Sequence, residues 1–219
     1  FREVQKTNPA AGDLLNLCAF LAPDNIPLDI LREKADVLPK RLAEALRNPL
    51  ALDEAVGTLR RYSLVEVAGE ALSVHRLVQT VARDRLANKA WRAFATAAVE
   101  AVNSVFPLES YDVRTWTKCS RLLPHALASA GHAGAEKVAP ASTGRLLNQA
   151  GTYLWGRAEF QDAKAAFERA LALDEAACGP NHRKVATDVN NLGSVLQAMG
   201  DLAGAKQHFE RALAIDEAA

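Results

Sequence analysis

Along most of this chain, apolar residues recur three and four positions apart, the spacing that lines one face of a helix. Leu14, Leu17, Cys18 and Leu21 mark a helix over 9–20, which Ala22-Pro23-Asp24-Asn25 should stop. A short helix is expected to follow Ile26-Pro27, because proline is well tolerated at a helix's first position. Another helix is expected over 38–46. Asp53 is the expected N-cap of one over 54–62, with Ala55, Val56, Leu59 and Tyr62 on one face. The texture changes after Ser63. Leu64-Val65-Glu66-Val67 and Ala71-Leu72-Ser73-Val74 flank Ala68-Gly69-Glu70, which predicts a two-stranded hairpin. A helix begins near His75 and carries Leu77, Val78, Val81 and Leu86. From Trp91 onward the reading is helical, over 90–105 and roughly 113–130, with Phe106-Pro107 between them. Gly131-His132-Ala133-Gly134 and Pro140-Ala141-Ser142 are expected to break the chain before its last third.

That last third repeats itself. Leu147–Ala177 and Val189–Ala219 match at 15 of 31 positions with a constant offset of 42. The shared core is Ala-Lys-x-x-Phe-Glu-Arg-Ala-Leu-Ala-x-Asp-Glu-Ala-Ala, at 163–177 and again at 205–219. A fixed period of this length marks an array of stacked helix pairs, each burying its apolar face on a neighbour. Shifting the register back once more puts Glu109 where Gly151 and Gly193 stand, so 89–143 reads as a connector with at most a degenerate helical pair.

Composition narrows the classes of function. Lys plus Arg and Asp plus Glu number 26 each, and the balance holds on both sides of residue 90, so nothing pulls the chain toward nucleic acid or an anionic membrane. Cys18, Cys119 and Cys178 are scattered and odd in number, which fits a reduced, cytoplasmic setting better than a disulfide framework. No apolar run is long enough to span a bilayer. The start at Phe1 and the uncapped repeat at Ala219 lead us to expect a longer parent protein.

The repeats resemble the tetratricopeptide family. Gly151 and Gly193, Ala163 and Ala205, Phe167 and Phe209, and Ala170 and Ala212 occupy the family's signature positions. The period, Asn190-Asn191-Leu192-Gly193 and the linker Gly179-Pro180-Asn181-His182 resemble the longer, kinesin light chain type. The first half resembles the winged-helix segment that follows the nucleotide-binding module of bacterial NB-ARC-type signal-transduction ATPases, the STAND class. The residues behind this are Leu14–Pro23 with Ile26-Pro27, Leu59-Arg60-Arg61-Tyr62-Ser63-Leu64-Val65 and Val74-His75-Arg76-Leu77-Val78-Gln79, followed by Leu122-Leu123-Pro124-His125.

The resemblance implies a mostly α protein: a winged-helix domain over 8–88 with a small β-hairpin wing, the connector over 89–143, and an α-solenoid of two repeats at 144–185 and 186–219. In the family's register, Arg145, Asn148, Thr152 and Trp155 of one repeat and Thr187, Asn190, Ser194 and Gln197 of the next line a concave groove for a peptide. The alternative for Asn148 and Asn190 is a helix-to-helix hydrogen bond inside the array. His75 stands where relatives carry the His of a Met-His-Asp motif that touches ADP, although here the triplet is Val74-His75-Arg76. The alternative is a structural His pinning hairpin to helix.

No G-x-x-x-x-G-K-S/T loop is present, so the fragment itself is expected to be non-catalytic, with ADP or ATP belonging to an upstream module. The function implied is sensor and relay: the repeats bind a protein or peptide trigger and the winged helix regulates that module. Two other readings stand beside it. One is a DNA-binding regulator using Arg60 and Arg61, which Asp53-Glu54 on the same helix oppose. The other is a plain adaptor. Self-association through the open repeat end is a further expectation. Cys119, His125 and His132 lack metal-ligand spacing, Cys18 reads as core, and Asp174-Glu175 and Asp216-Glu217 read as surface charge.

Overall fold

The computed structural model describes residues 1–32 and 38–218, so the Ala219 that closes the repeat core lies outside the described residues. Two compact units emerge, one of residues 1–105 and 124–138, the other of 106–123 and 139–218. The stretch read as a connector therefore divides between them.

In the first unit, α1 (Arg2–Thr7) ends at Asn8, whose extended backbone lets its Oδ1 accept from the Ala11 N–H at 3.1 Å and start α2 (Pro9–Cys18). The sequence pattern missed α1, whose inward residue is the lone Val4. Leu14, Leu15, Leu17 and Cys18 of α2 are fully buried, each leucine worth about 1.5–3 kcal/mol of hydrophobic stabilisation. The short helix expected after Ile26-Pro27 forms as α3 (Asp29–Arg32), but proline does not open it: Ile26-Pro27 is strand β1. α4 (Lys40–Leu46) leads to α5 (Pro49–Arg61), which is capped by Asn48 and not by Asp53. The Asn48 side chain accepts from the Leu50 N–H at 3.1 Å, and Pro49 takes the first helical position.

The hairpin β2 (Glu66–Ala68) and β3 (Ala71–Ser73) forms as expected but gains a third strand, in the order β1-β3-β2. Ile26 pairs with Leu72 and Pro27 with Ala71, all antiparallel. Proline lacks the N–H that a central strand needs, and β1 lies at the sheet's edge, where that loss is tolerated. His75 caps α6 (Arg76–Asp84), which turns two polar side chains back on the end of α2. Gln79 donates to the Cys18 and Leu21 carbonyls at 2.9 and 3.1 Å, and Arg83 donates to the Ala19 carbonyl. α7 (Asn88–Val105) supplies Trp91, whose ring meets Phe20 edge-on at 4.9 Å. Helix α8 (Trp116–Ala135) runs through the expected Gly131–Gly134 break, and its last turns bring His132 against the same two rings.

The second unit is built on two helix pairs, α9 (Pro140–Gly156) with α10 (Phe160–Cys178), and α11 (Arg183–Ala198) with α12 (Leu202–Ala218). In each pair a glycine of the first helix lies against a phenylalanine ring of the second. A Cβ on Gly151 would come within 2.7 Å of the Phe167 ring, and one on Gly193 within 2.7 Å of the Phe209 ring. Only glycine permits that approach. The segment 106–115 forms no helical pair; its one regular element is a 3₁₀ turn at Val113–Thr115. It lies along α9, where the Ser110 hydroxyl donates to the Gln149 carbonyl at 2.9 Å.

Candidate ligand groove in the repeats

Successive first helices of a repeat array present one polar stripe each, and a groove forms where two stripes and a bordering aromatic side chain converge. Here Thr152 and Trp155 of α9 and Ser194 of α11 converge, as the sequence register implies. Tyr111 from the preceding loop, Phe167 of α10 and Asn191 of α11 complete a groove of about 270 Å³. Trp155 and Tyr111 remain 41% and 63% exposed, so two aromatic faces are open to an incoming group. Among the described residues neither a carboxylate nor a basic side chain lines this groove.

Its polar atoms are biased toward accepting. The Thr152 hydroxyl donates to the Asn148 carbonyl at 3.0 Å and the Ser194 hydroxyl to the Asn190 carbonyl at 3.1 Å. Each hydroxyl proton is thus committed to its own helix, while the oxygens keep lone pairs for a donor. Peptide N–H groups are donors of that kind.

The other register positions fall elsewhere. Arg145, Thr187, Asn190 and Gln197 are exposed and do not line the groove; Thr187 donates back to the Arg183 carbonyl at 3.3 Å. Asn148 takes up the helix-to-helix alternative. Its amide donates to Asp188 Oδ1 of α11, and its own Oδ1 accepts from the Asn191 amide at 3.0 Å. Tyr111 carried no periodic signal, and Asn191 stands one residue off the stripe expected to face a ligand. The Asn190-Asn191 pair was the available clue: one asparagine faces out and the other turns inward to the array.

Beneath the groove lies a feature that the sequence reading placed wrongly. Asp174 is not surface charge: it is 5% exposed on α10, while Asp188 on α11 is 1% exposed. Burial, reinforced by the neighbouring Asp174 charge, pushes the Asp188 carboxyl up to about 7, against the opposing pull of Asn148 and Lys184. Asp174 Oδ1 and Asp188 Oδ2 are both buried without a hydrogen-bond partner among the described residues. Asp216 and Glu217 are exposed, as the pattern suggested.

In the first unit, His75 is exposed and its Nδ1 accepts from the Leu77 N–H at 3.2 Å. That bond leaves the Nε2 proton free for an outside acceptor. The recess beside it, about 150 Å³, is also lined by Asp24, Ser63, Glu66 and Ser73. Its two carboxylates would repel a phosphate, so the imidazole fits an anion as one donor among others supplied from elsewhere. Arg60 and Arg61 are exposed at the end of α5, with Arg61 over the Tyr62 ring. Cys18 is core, and burial pushes its thiol up to about 12, which makes it inert. Burial also pushes the His132 imidazole below its ordinary range, with the Arg83 charge adding to the effect. Among the described residues no three His, Cys, Asp or Glu side chains gather as a metal site, and no helix is long and apolar enough to cross a membrane.

Two parts of the chain match known protein families. Residues 142–218 match the tetratricopeptide repeat model, and residues 2–91 match a domain of unknown function, DUF7779. Over 196 residues the chain is 27% identical to a nucleotide-binding leucine-rich repeat (NLR)-like protein of Hyaloscypha variabilis. That alignment covers 87% of this chain and 18% of the relative. The last third is thus a tetratricopeptide-repeat segment. Most of the chain is similar to a short part of an NLR-like protein.

Proposed function

We propose that this chain is the sensor-and-relay portion of a larger cytoplasmic STAND-type ATPase, and that its repeats hold a protein segment in extended form. The groove between α9 and α11 carries this reading. It is uncharged and rich in acceptors, and it offers Trp155 and Tyr111 as apolar anchors, a combination suited to backbone N–H groups and one large apolar side chain. That the Hyaloscypha variabilis relative is named as a nucleotide-binding protein supports an upstream nucleotide module in the parent.

The first unit acts in this reading as a winged helix. Its order of helix, short strand, helices and hairpin, with β3 between β1 and β2, supports that assignment. His75 would present its free N–H to a phosphate of ADP held by the upstream module, which supplies the phosphate's remaining partners and any hydrolysis. Trigger binding shifts the balance of closed and open parent only if the trigger prefers one of them.

The test is selection of a random peptide display library on the chain, with Trp155→Ala as the counter-screen. Sequences sharing one large apolar residue, retained by the chain and lost on Trp155→Ala, are the expected result. Sequences retained equally by both forms would remove the groove from the reading. In the full-length parent, His75→Ala should weaken ADP retention at least tenfold, and unchanged retention would exclude the phosphate role.

A further inference from the structure

The carboxyl pair beneath the groove is a destabilising thing to bury. Asp174 and Asp188 are 5% and 1% exposed, and buried carboxyls cost stability unless every oxygen is paired. The chain nevertheless makes room for them: a Cβ on Gly144 of α9 would lie 3.0 Å from Asp174 Oδ1. Nor does the repeat demand the pair, because Leu146 stands in α9 where α11 carries Asp188. What a buried polar network supplies is a fixed arrangement of its members.

That arrangement runs outward from Asp188. The Asn148 amide donates to Asp188 Oδ1, and Asn148 Oδ1 accepts from the Asn191 amide at 3.0 Å. Turning the Asn148 amide over would set oxygen against oxygen at Asp188 and nitrogen against nitrogen at Asn191. Reversing both amides together would require a donor at Asp188, and an ionised carboxylate has none. Asn148 is thereby held in one orientation, and it holds the Asn191 nitrogen, leaving the oxygen on the other side of that amide. Asn191 lines the groove with Thr152 and Ser194, whose hydroxyl protons are committed to their own helices.

We infer that Asp188 is a positioning residue for the groove: through Asn148 it turns Asn191 so that a ligand meets the Asn191 oxygen. The groove then selects segments whose backbone N–H groups are free to donate. This rests on the peptide-groove reading and adds the residue that sets its polarity. Asp188 itself does not line the groove.

The test uses two probes with the same indole, N-acetyl-tryptophan methylamide and its fully N-methylated form, which has no backbone N–H. Each is titrated into the ¹⁵N-labelled chain while the side-chain signals of Trp155 and Asn191 are followed. The methylamide should bind about fivefold more tightly, the worth of one ordinary hydrogen bond. Asp188→Leu should erase that preference while the indole still binds, and should speed exchange of the Asn191 side-chain amide about tenfold. Asp188→Asn should keep both, since its amide can turn the nitrogen to Asp174 and still accept from Asn148. Asn148→Ala cuts the same relay without touching the groove lining, and it replaces the leucine variant if that chain does not fold. A preference or an exchange rate unmoved by the cut, or lost in Asp188→Asn, would overturn the relay. Equal binding of both probes to the unaltered chain would overturn the donor selection and leave the groove standing. Probes that leave Trp155 unshifted would overturn the groove reading and this inference with it.

Discussion

Helices α10 and α12 share the pattern Ala-Lys-x-x-Phe-Glu-Arg-Ala-Leu-Ala-x-Asp-Glu-Ala, yet its shared residues live in different surroundings. Within each, the i,i+4 pair forms alike, Lys164 with Glu168 at 3.6 Å and Lys206 with Glu210 at 3.7 Å, and the ring of Phe167 or Phe209 lies on its glycine. These are contacts within one helix or one helix pair, so a repeated sequence repeats them. Phe167 and Asp174 are buried, while Phe209 is half-buried and Asp216 exposed. The difference is the presence of α11 against α10. A residue's environment in a repeat array is thus set by its own pair for one part of the helix surface and by the next repeat for the rest.

The comparison is broken most forcefully at the aromatic positions. Phe167→Ala should cost about 3–5 kcal/mol, the usual range for emptying a buried ring site, and Phe209→Ala about half of that. Chemical denaturation checks both, and equal losses would mean that the outer repeat is as enclosed as the inner one.

Next is the carboxyl pair. Since the folded Asp188 holds its proton up to about pH 7 and an unfolded aspartate releases it near 3.8, its contribution falls as pH rises through that window. The sign follows from the folded state binding the extra proton. Asp188→Asn should therefore remove on the order of 2 kcal/mol of the loss between pH 4 and pH 8. Denaturation at both pH values checks it, and an unchanged slope would place the titration elsewhere.

Leucine positions sharpen the contrast further. Leu171→Ala should cost about 1–2 kcal/mol, short of the full core value because Leu171 is only partly buried, and Leu213→Ala within about 0.5 kcal/mol. A large loss at Leu213 would show that its face is already covered.

The turns give the smallest effect. Ala158 and Gly200 occupy the same place after α9 and α11, both in the left-handed region with φ of 61° and 86°. Only glycine adopts that conformation freely, so Ala158→Gly should stabilise by about 0.5–1 kcal/mol and Gly200→Ala destabilise by a similar amount. Thermal melts of the two variants should move in opposite directions.

Where a signal was confined to one element, the sequence was readable. The helices of the repeats and the hairpin at 66–73 follow from spacing of a few residues, while the place of Trp155 at the groove followed from the family's register. The strand at Ile26-Pro27 was missed because its partner, Leu72, stands far along the chain, and a two-residue strand has no period of its own. Asp53 lost the cap to Asn48 because both are good capping residues and Pro49 favours the earlier start. Asn148 and Thr152 lie four residues apart on one predicted stripe. Yet one hydrogen-bonds the next repeat and the other borders the groove.

By itself the sequence determined the repeat, its period and its helix pairs, since each is a relation between residues within one helix pair or at a fixed offset along the chain. Only the tertiary structure decided that Tyr111 joins the groove, that Asp174 is buried against Asp188 and that Asp216 is not. Burial and proton affinity are properties of what surrounds a side chain, and for these residues the surroundings come from segments that no local pattern connects.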